Sequence, residues 1–158
     1  MATERSQFPE IDQDQCLEVI GKCASTNFRR ASRSVTQLFD QILAPCGLRS
    51  TQLTVLVAAQ VLSPCGLGRL ARELVMDSST VTRNIKPLEI QGLLEVTGKT
   101  GRRGKTIKVT DEGRNAMASA VPYWKEAQAQ LLSRMGQDRW ERVMIDLTGV
   151  VSAAQATG

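Results

Sequence analysis

The chain contains no histidine among its 158 residues. Histidine is the commonest general base and the commonest metal ligand in proteins. Its absence therefore excludes a Ser/His/Asp or Cys/His catalytic arrangement within this chain. The Gly-x-x-x-x-Gly-Lys-Ser/Thr loop that cradles phosphates is also missing from the sequence. We expect a protein that is not an enzyme, with no catalytic residues, no metal site and no cofactor.

The chain has four cysteines, and they are poorly spaced for a metal. Cys16, Cys23, Cys46 and Cys65 form no Cys-x-x-Cys pair, which argues against a structural zinc site. One interpretation is four reduced and mostly buried thiols, as is usual in the cytosol. The other is a redox or soft-metal sensor. Its candidate thiols are Cys16 and Cys23, which lie seven residues apart on one face of a predicted helix. Both interpretations stay open.

Long apolar runs are absent as well. The longest hydrophobic segment is far shorter than the roughly 20 residues that a membrane helix needs, and residues 1–14 are polar and acidic, without the apolar core of a signal peptide. We expect a cytoplasmic globular protein, with 42% hydrophobic and 23% charged residues. The net charge is +4, and the segment from Arg69 to Arg114, with ten Lys/Arg against six Asp/Glu, carries an equal excess. Such a basic segment suits nucleic acid.

Residues 67–110 predict the order helix, turn, helix, strand, basic loop, strand. Asp77 or Ser78 is placed to cap the second helix, whose inward stripe is Val81, Ile85 and Leu88. Hydroxyls contact phosphates or base edges, and arginine grips guanine with two hydrogen bonds. An ordinary solvated face is the alternative interpretation. The residues predicted to present a DNA-binding surface on this helix are Ser78, Ser79, Thr80, Thr82, Arg83 and Lys86.

The two predicted strands, residues 93–97 and 106–110, enclose a basic loop punctuated by three glycines. Glycine permits tight turns and close approach of the backbone to a partner. Residues 99–108 hold five Lys/Arg and no acid, whereas a merely solvated hairpin would mix signs. Clustered cations beside a presented helix are typical of a site for the phosphate backbone. The predicted DNA contacts in this loop are Lys99, Arg102, Arg103 and Lys105.

These features resemble the winged helix-turn-helix of the MarR family of bacterial transcription regulators. The resemblance is carried by LARELVMDSSTVTRNIKPLEIQGLL at residues 70–94, by the basic wing and by VTDEG at residues 109–113. It implies that the second helix is the recognition helix and that Arg103 reaches the minor groove. Gly101 stands where the family usually has an aspartate. The resemblance also implies an effector pocket between the dimer helices and the winged domain, which Arg29, Arg30, Arg33 and the helix at residues 53–62 would line.

The flanking segments predict helices with apolar stripes, one over residues 16–43 and two more between residues 112 and 151. One small winged domain cannot cover three such stripes. We therefore expect a symmetric homodimer in which the N- and C-terminal helices interdigitate. The predicted domains are residues 1–47 (N-terminal arm and dimerisation helix), 48–111 (winged helix-turn-helix) and 112–158 (C-terminal dimerisation helices). Inside the second helix of the winged domain, Pro87 leaves two outcomes open, an early end or a kinked helix that continues.

The sequence thus predicts a mainly α fold with a small β-wing. The predicted function is a DNA-binding transcription regulator, a repressor released from a near-palindromic operator by a small-molecule effector or by thiol oxidation. The alternative is a winged-helix protein-interaction module, in which the wing cations bind an acidic partner and sequence-specific DNA binding is absent.

Overall fold

The computed structural model describes residues 11–98 and 104–156. Within these ranges the elements are α1 (Gln13–Lys22), α2 (Ala24–Leu43), a 3-10 turn (Ala44–Cys46), α3 (Ser50–Val61), β1 (Cys65–Gly66), α4 (Leu67–Glu73), α5 (Ser78–Ile90), β2 (Leu94–Thr97), β3 (Thr106–Val109), α6 (Asp111–Met135) and α7 (Gln137–Gln155). The predicted class, mainly α with a small β-wing, is confirmed. The chain divides into two compact units, one before Leu38 and one from Leu38 onward.

The N-terminal helical segment is broken at Cys23, so the prediction of one helix over residues 16–43 is wrong there. Cys23 has extended backbone angles, φ −66° and ψ 112°. The side-chain amide of Asn27 donates to the carbonyls of Gly21 and Cys23, at 3.1 and 3.0 Å. The Cys23 carbonyl also accepts from the Asn27 amide at 3.1 Å, so the Asn27 side chain adds contacts that bridge the break. Periodicity misses such a break because the pattern stays helical on both sides of a single residue.

The hydrophobic core belongs to the second unit. Its largest fully buried side chains are Leu43, Val55, Leu56, Leu70, Val81, Leu88 and Ile107. The predicted inward stripe of α5 is buried as expected, since Val81, Ile85 and Leu88 are at most 3% exposed. Burial of each such side chain stabilises the fold by about 1.5–3 kcal/mol. The stripe fixes α5 against the core and turns its opposite face to solvent.

The three strands form one antiparallel sheet in the order β1-β3-β2. β2 and β3 are the predicted wing strands, and their register pairs Leu94 with Val109 and Thr97 with Thr106. β1 pairs Cys65 with Ile107. This strand was not predicted, because two residues are too few to form an alternating pattern. It joins the wing to the start of α4, which follows it directly in the chain.

The end of α5 and the start of α6 position the wing. α5 continues through Pro87 to Ile90, so the continuing helix is the correct one of the two predicted outcomes. Fully buried Leu88 holds the turn that follows the proline. The N-cap of α6 is Thr110, whose hydroxyl oxygen accepts from the Gly113 amide at 3.0 Å.

In the ranges that the structure describes, no single helix is long and apolar enough to cross a membrane. Taken together as a bent pair, α2 with its 3-10 turn and α3 do meet that length and composition.

Candidate nucleic-acid interface

The start of α5 is organised by the carboxylate of Asp77. One carboxylate oxygen accepts from the Thr80 amide at 2.8 Å and from the Ser79 hydroxyl at 2.5 Å. The other accepts from the Thr80 hydroxyl at 2.7 Å. The hydroxyls of Ser79 and Thr80, with the Thr80 amide, hold the pKa of Asp77 well below its usual range. Asp77, one of the two predicted caps, is the N-cap of this helix.

Arg83 is joined to this network through Thr80. Its Nη2 donates to the Thr80 hydroxyl oxygen at 3.0 Å, and Thr80 in turn donates to Asp77. Among the described residues no carboxylate pairs directly with the Arg83 guanidinium. Its other N–H groups are therefore available to a partner, since a guanidinium carries five donors. Arg83 is exposed on the face of α5 opposite the buried stripe.

The remaining predicted residues of α5 are partly engaged within the chain. The Thr82 hydroxyl donates to the Ser78 carbonyl at 2.7 Å. Lys86 pairs with Glu89 at 3.0 Å, with 64% of the lysine side chain exposed. The sequence analysis did not predict the ion pair between Lys86 and Glu89. Arg83 is consequently the predicted contact on α5 with the most free donors.

The wing is described only at its two ends. Gly98 has φ +93° and Gly104 has φ +64°, and a Cβ on Gly98 would lie 2.6 Å from the Gly104 carbonyl oxygen. Only glycine fits this close approach, so the hairpin needs Gly98 at its base. Lys105 lies within the described residues and is partly buried. The predicted contacts Lys99, Arg102 and Arg103 lie outside the described residues, and their role stays a prediction.

A polar groove beside α5 is lined in part by Arg49, a residue that the sequence pattern does not predict as part of the site. This α3–α5 groove has a volume of about 460 Å³ and is lined by Gly47, Arg49, Thr51, Gln52, Arg83, Asn84, Pro87 and Gln91. Arg49 is exposed just before α3. Helical periodicity cannot find it, because it lies in a connection and approaches α5 only through the tertiary fold.

A second cavity, of about 650 Å³, is mainly apolar. Its lining includes Phe39, Leu43, Leu53, Val57, Val61, Leu74, Met117 and Trp124, with Ser50, Thr54 and Glu73 among its polar residues. Residues of the helix at 53–62, which the resemblance places in an effector pocket, line this cavity, and that role stays a prediction. Arg29, Arg30 and Arg33 belong to the other unit, and their expected role stays a prediction.

The cysteines differ in their surroundings. Cys16, Cys23 and Cys46 are partly buried, Cys65 is buried, and all four are free thiols. Hydrogen bonds from the Thr26 hydroxyl and amide lower the pKa of Cys23, and burial raises the pKa of Cys65. Cys23, one of the two candidate sensor thiols, therefore has more thiolate character than an ordinary cysteine. No cluster of three or more Cys, Asp or Glu suited to a metal ion occurs in the part of the chain that the structure describes.

Comparison with known proteins relates this fold to transcription regulators. No family model and no curated protein matches the chain. The M. tuberculosis transcriptional regulator MosR in complex with DNA is 35% identical, with a TM-score of 0.75, and the match covers 85% of this chain and 98% of that one. A MarR variant from E. coli complexed with operator DNA is 18% identical, with a TM-score of 0.73 and coverage of 89% and 99%. Bordetella bronchiseptica BpsR, whose DNA binding is regulated by 6-hydroxynicotinic acid, is 21% identical, with a TM-score of 0.74 and coverage of 84% and 96%.

Proposed function

This chain belongs to the MarR family of DNA-binding transcription regulators, and we propose that it represses transcription from a near-palindromic operator. The observation that carries the proposal is the exposed face of α5, where Arg83 is exposed and is joined through Thr80 to Asp77. Pre-positioned arginine suits readout of guanine in the major groove. The wing cations supply phosphate contacts, which give affinity without sequence preference.

The proposed form is a homodimer. No residue of α1 or α7 is buried within the single chain. In the first unit Leu17, Ile20 and Phe28 are exposed, and in the second unit so are Leu147 and Val151. Exposed apolar residues on helices that bury none of their own side chains are typical of interaction surfaces. A second copy of the chain covers them symmetrically and sets two α5 helices against two operator half-sites.

A small apolar ligand is the first proposed means of release. The apolar cavity lies where α3 meets the ends of α2 and α4 and the middle of α6, and its volume falls in the range of ligand sites. A ligand there that favours one arrangement of α4 over another changes the position of the helix-turn-helix and hence its DNA affinity. The response of BpsR to 6-hydroxynicotinic acid supports this kind of control.

Thiol oxidation is the second proposed means of release. Cys23 lies at the break between α1 and α2, and its pKa is lowered by Thr26. Oxidation adds a polar group there and disturbs the N-terminal helices that the dimer uses. Mild peroxide then weakens operator binding in the wild type and in Cys46→Ser, whereas Cys23→Ser is resistant. Equal loss of binding in Cys23→Ser would assign the response elsewhere.

The direct test of the proposed function is to sequence the genomic fragments that the purified protein retains, and then to measure their affinity against scrambled duplex. We expect one enriched near-palindrome, bound at least about 1,000-fold more tightly than scrambled DNA. Transcription from the adjacent promoter should fall when the protein is added to a purified transcription reaction. Retention without sequence enrichment, or activation of that promoter, would contradict the proposal.

A further inference from the structure

The α3–α5 groove is rich in hydrogen-bond donors and has no acidic side chain in its lining. Arg49 and Arg83 both line it, and no carboxylate among the described residues forms an ion pair with either guanidinium. Thr51, Asn84 and Gln91 add neutral donors. Arginine with neutral donors and no competing acid is the combination that binds an oxyanion, above all a phosphate.

Neither of the side chains that accept from the backbone amides of Arg49 and Ser50 forms an ion pair with the Arg49 guanidinium. The Arg49 amide donates to the Gln52 side-chain oxygen at 2.9 Å, so the Gln52 NH₂ group keeps its donors for the groove. The carboxylate of Asp40 is engaged by the Ser50 amide at 2.7 Å. Leu48 is only 4% exposed and anchors the connection in the core directly before Arg49. The backbone of Arg49 is thus anchored, while its exposed guanidinium forms no ion pair among the described residues.

The groove occupies one flank of α5. Arg83, Asn84, Pro87 and Gln91 follow one another along that side of the helix. Thr82, Lys86 and Glu89 lie on the opposite flank by the same helical geometry. A helix in the major groove, which is about 12 Å wide, has a phosphate backbone on each side. With α5 in the groove, Arg49 faces one of these two backbones.

We propose that Arg49 binds a phosphate of duplex DNA on the α3 side of the major groove that α5 enters, an inference that rests on the proposed DNA-binding function. The DNA interface then extends beyond α5 and the wing to the connection between the 3-10 turn and α3. Arg49 contributes affinity and register here, while Arg83 contributes base recognition.

The test is a salt titration of the full-length protein and three variants on operator and scrambled duplex. Arg49→Ala should weaken binding to the operator and to the scrambled duplex by the same factor. That factor is about tenfold for the loss of one charged hydrogen bond per chain. It should also lower the salt slope by about 1 per bound chain. Arg49→Lys should recover most of the slope. Arg134→Ala removes an exposed arginine of α6 and should leave both affinities unchanged.

A methylphosphonate scan of the operator identifies the contacted atom. Neutralising the contacted phosphate should weaken operator binding by the wild type and have little effect on binding by Arg49→Ala. The two changes remove the same interaction, so their effects do not add. If Arg49→Ala lowers affinity for the operator alone, or shows no coupling to any phosphate, the proposal is overturned and DNA binding through α5 stands. If inorganic phosphate occupies the groove at millimolar concentration without displacing DNA, the groove is a small-anion site instead. If the full chain retains no duplex even at low salt, both the proposed function and this inference fail.

Discussion

Gly113, the last residue of the Val-Thr-Asp-Glu-Gly segment, lies against the backbone where the chain enters the wing. A Cβ there would collide with the Leu93 carbonyl oxygen and come within 2.8 Å of a Val109 methyl group. The same carbonyl accepts from the Thr110 amide at 3.2 Å. Glycine at this position is therefore a packing requirement, through which the first turn of α6 fits closely over the wing strands.

Gly113→Ala should destabilise the fold by about 1–3 kcal/mol, because the added methyl group meets backbone that cannot move aside. Gly68→Ala is the matched control. Gly68 is also helical, a Cβ there meets nothing within 4 Å, and alanine favours a helix, so its stability should be unchanged or higher. Chemical denaturation of both variants measures the difference. Equal stability of the two would show that the contact with Leu93 relaxes at little cost.

At the scale of elements, the regular helices and the wing strands are predictable from the sequence, whereas tertiary approaches are not. The stripe of α5 and the cap at Thr110 follow from local periodicity and local hydrogen bonding. The break at Cys23 and the strand at Cys65 each involve too few residues to alter a pattern. Arg49 comes next to Arg83 only when α3 packs on α5. The ion pair between Lys86 and Glu89 is predictable from the sequence, since opposite charges three residues apart on a helix commonly pair.

Asp77 offers a pH test of how α5 begins. Asp77→Asn keeps a capping acceptor but removes the charge. The folded pKa of Asp77 lies below its unfolded value of about 3.9, so the carboxylate stabilises the fold above about pH 4 and loses this effect as pH falls toward the folded pKa. The wild type should therefore have a higher Tm than Asp77→Asn at about pH 7, and this difference in Tm should narrow at lower pH. A gap in Tm that is constant from about pH 7 to about pH 2 would contradict this role.

At the scale of the whole molecule, the single chain leaves the apolar faces of α1 and α7 uncovered. A protein that binds an operator with two half-sites needs two recognition helices at a fixed separation. Pairing through these faces answers both requirements at once, because the same helices that bury apolar surface also set that separation. In the proposed dimer, oxidation of a thiol at the seam would reach the DNA as a change in half-site spacing, whereas a ligand in the apolar cavity would act through α4.

Leu147→Asp should raise the dimer dissociation constant by about tenfold or more, since a buried carboxylate enters the seam twice in a symmetric pair. Ile90→Asp is the control, because Ile90 is an exposed apolar residue of α5, outside the predicted seam. Sedimentation equilibrium at micromolar concentration should find a dimer for the wild type and for Ile90→Asp. A wild type that sediments as a monomer would contradict the proposed homodimer.

The central claim is that Arg83 on α5 reads the operator, and one comparison tests it most directly. It is the ratio of operator to scrambled-duplex affinity for the wild type, Arg83→Ala and the control Arg134→Ala, measured at a single salt concentration. Arg83→Ala should cost about 1–3 kcal/mol on the operator and much less on scrambled duplex, so that the ratio collapses, while Arg134→Ala keeps it. An unchanged ratio in Arg83→Ala would contradict the claim and place sequence recognition elsewhere in the chain.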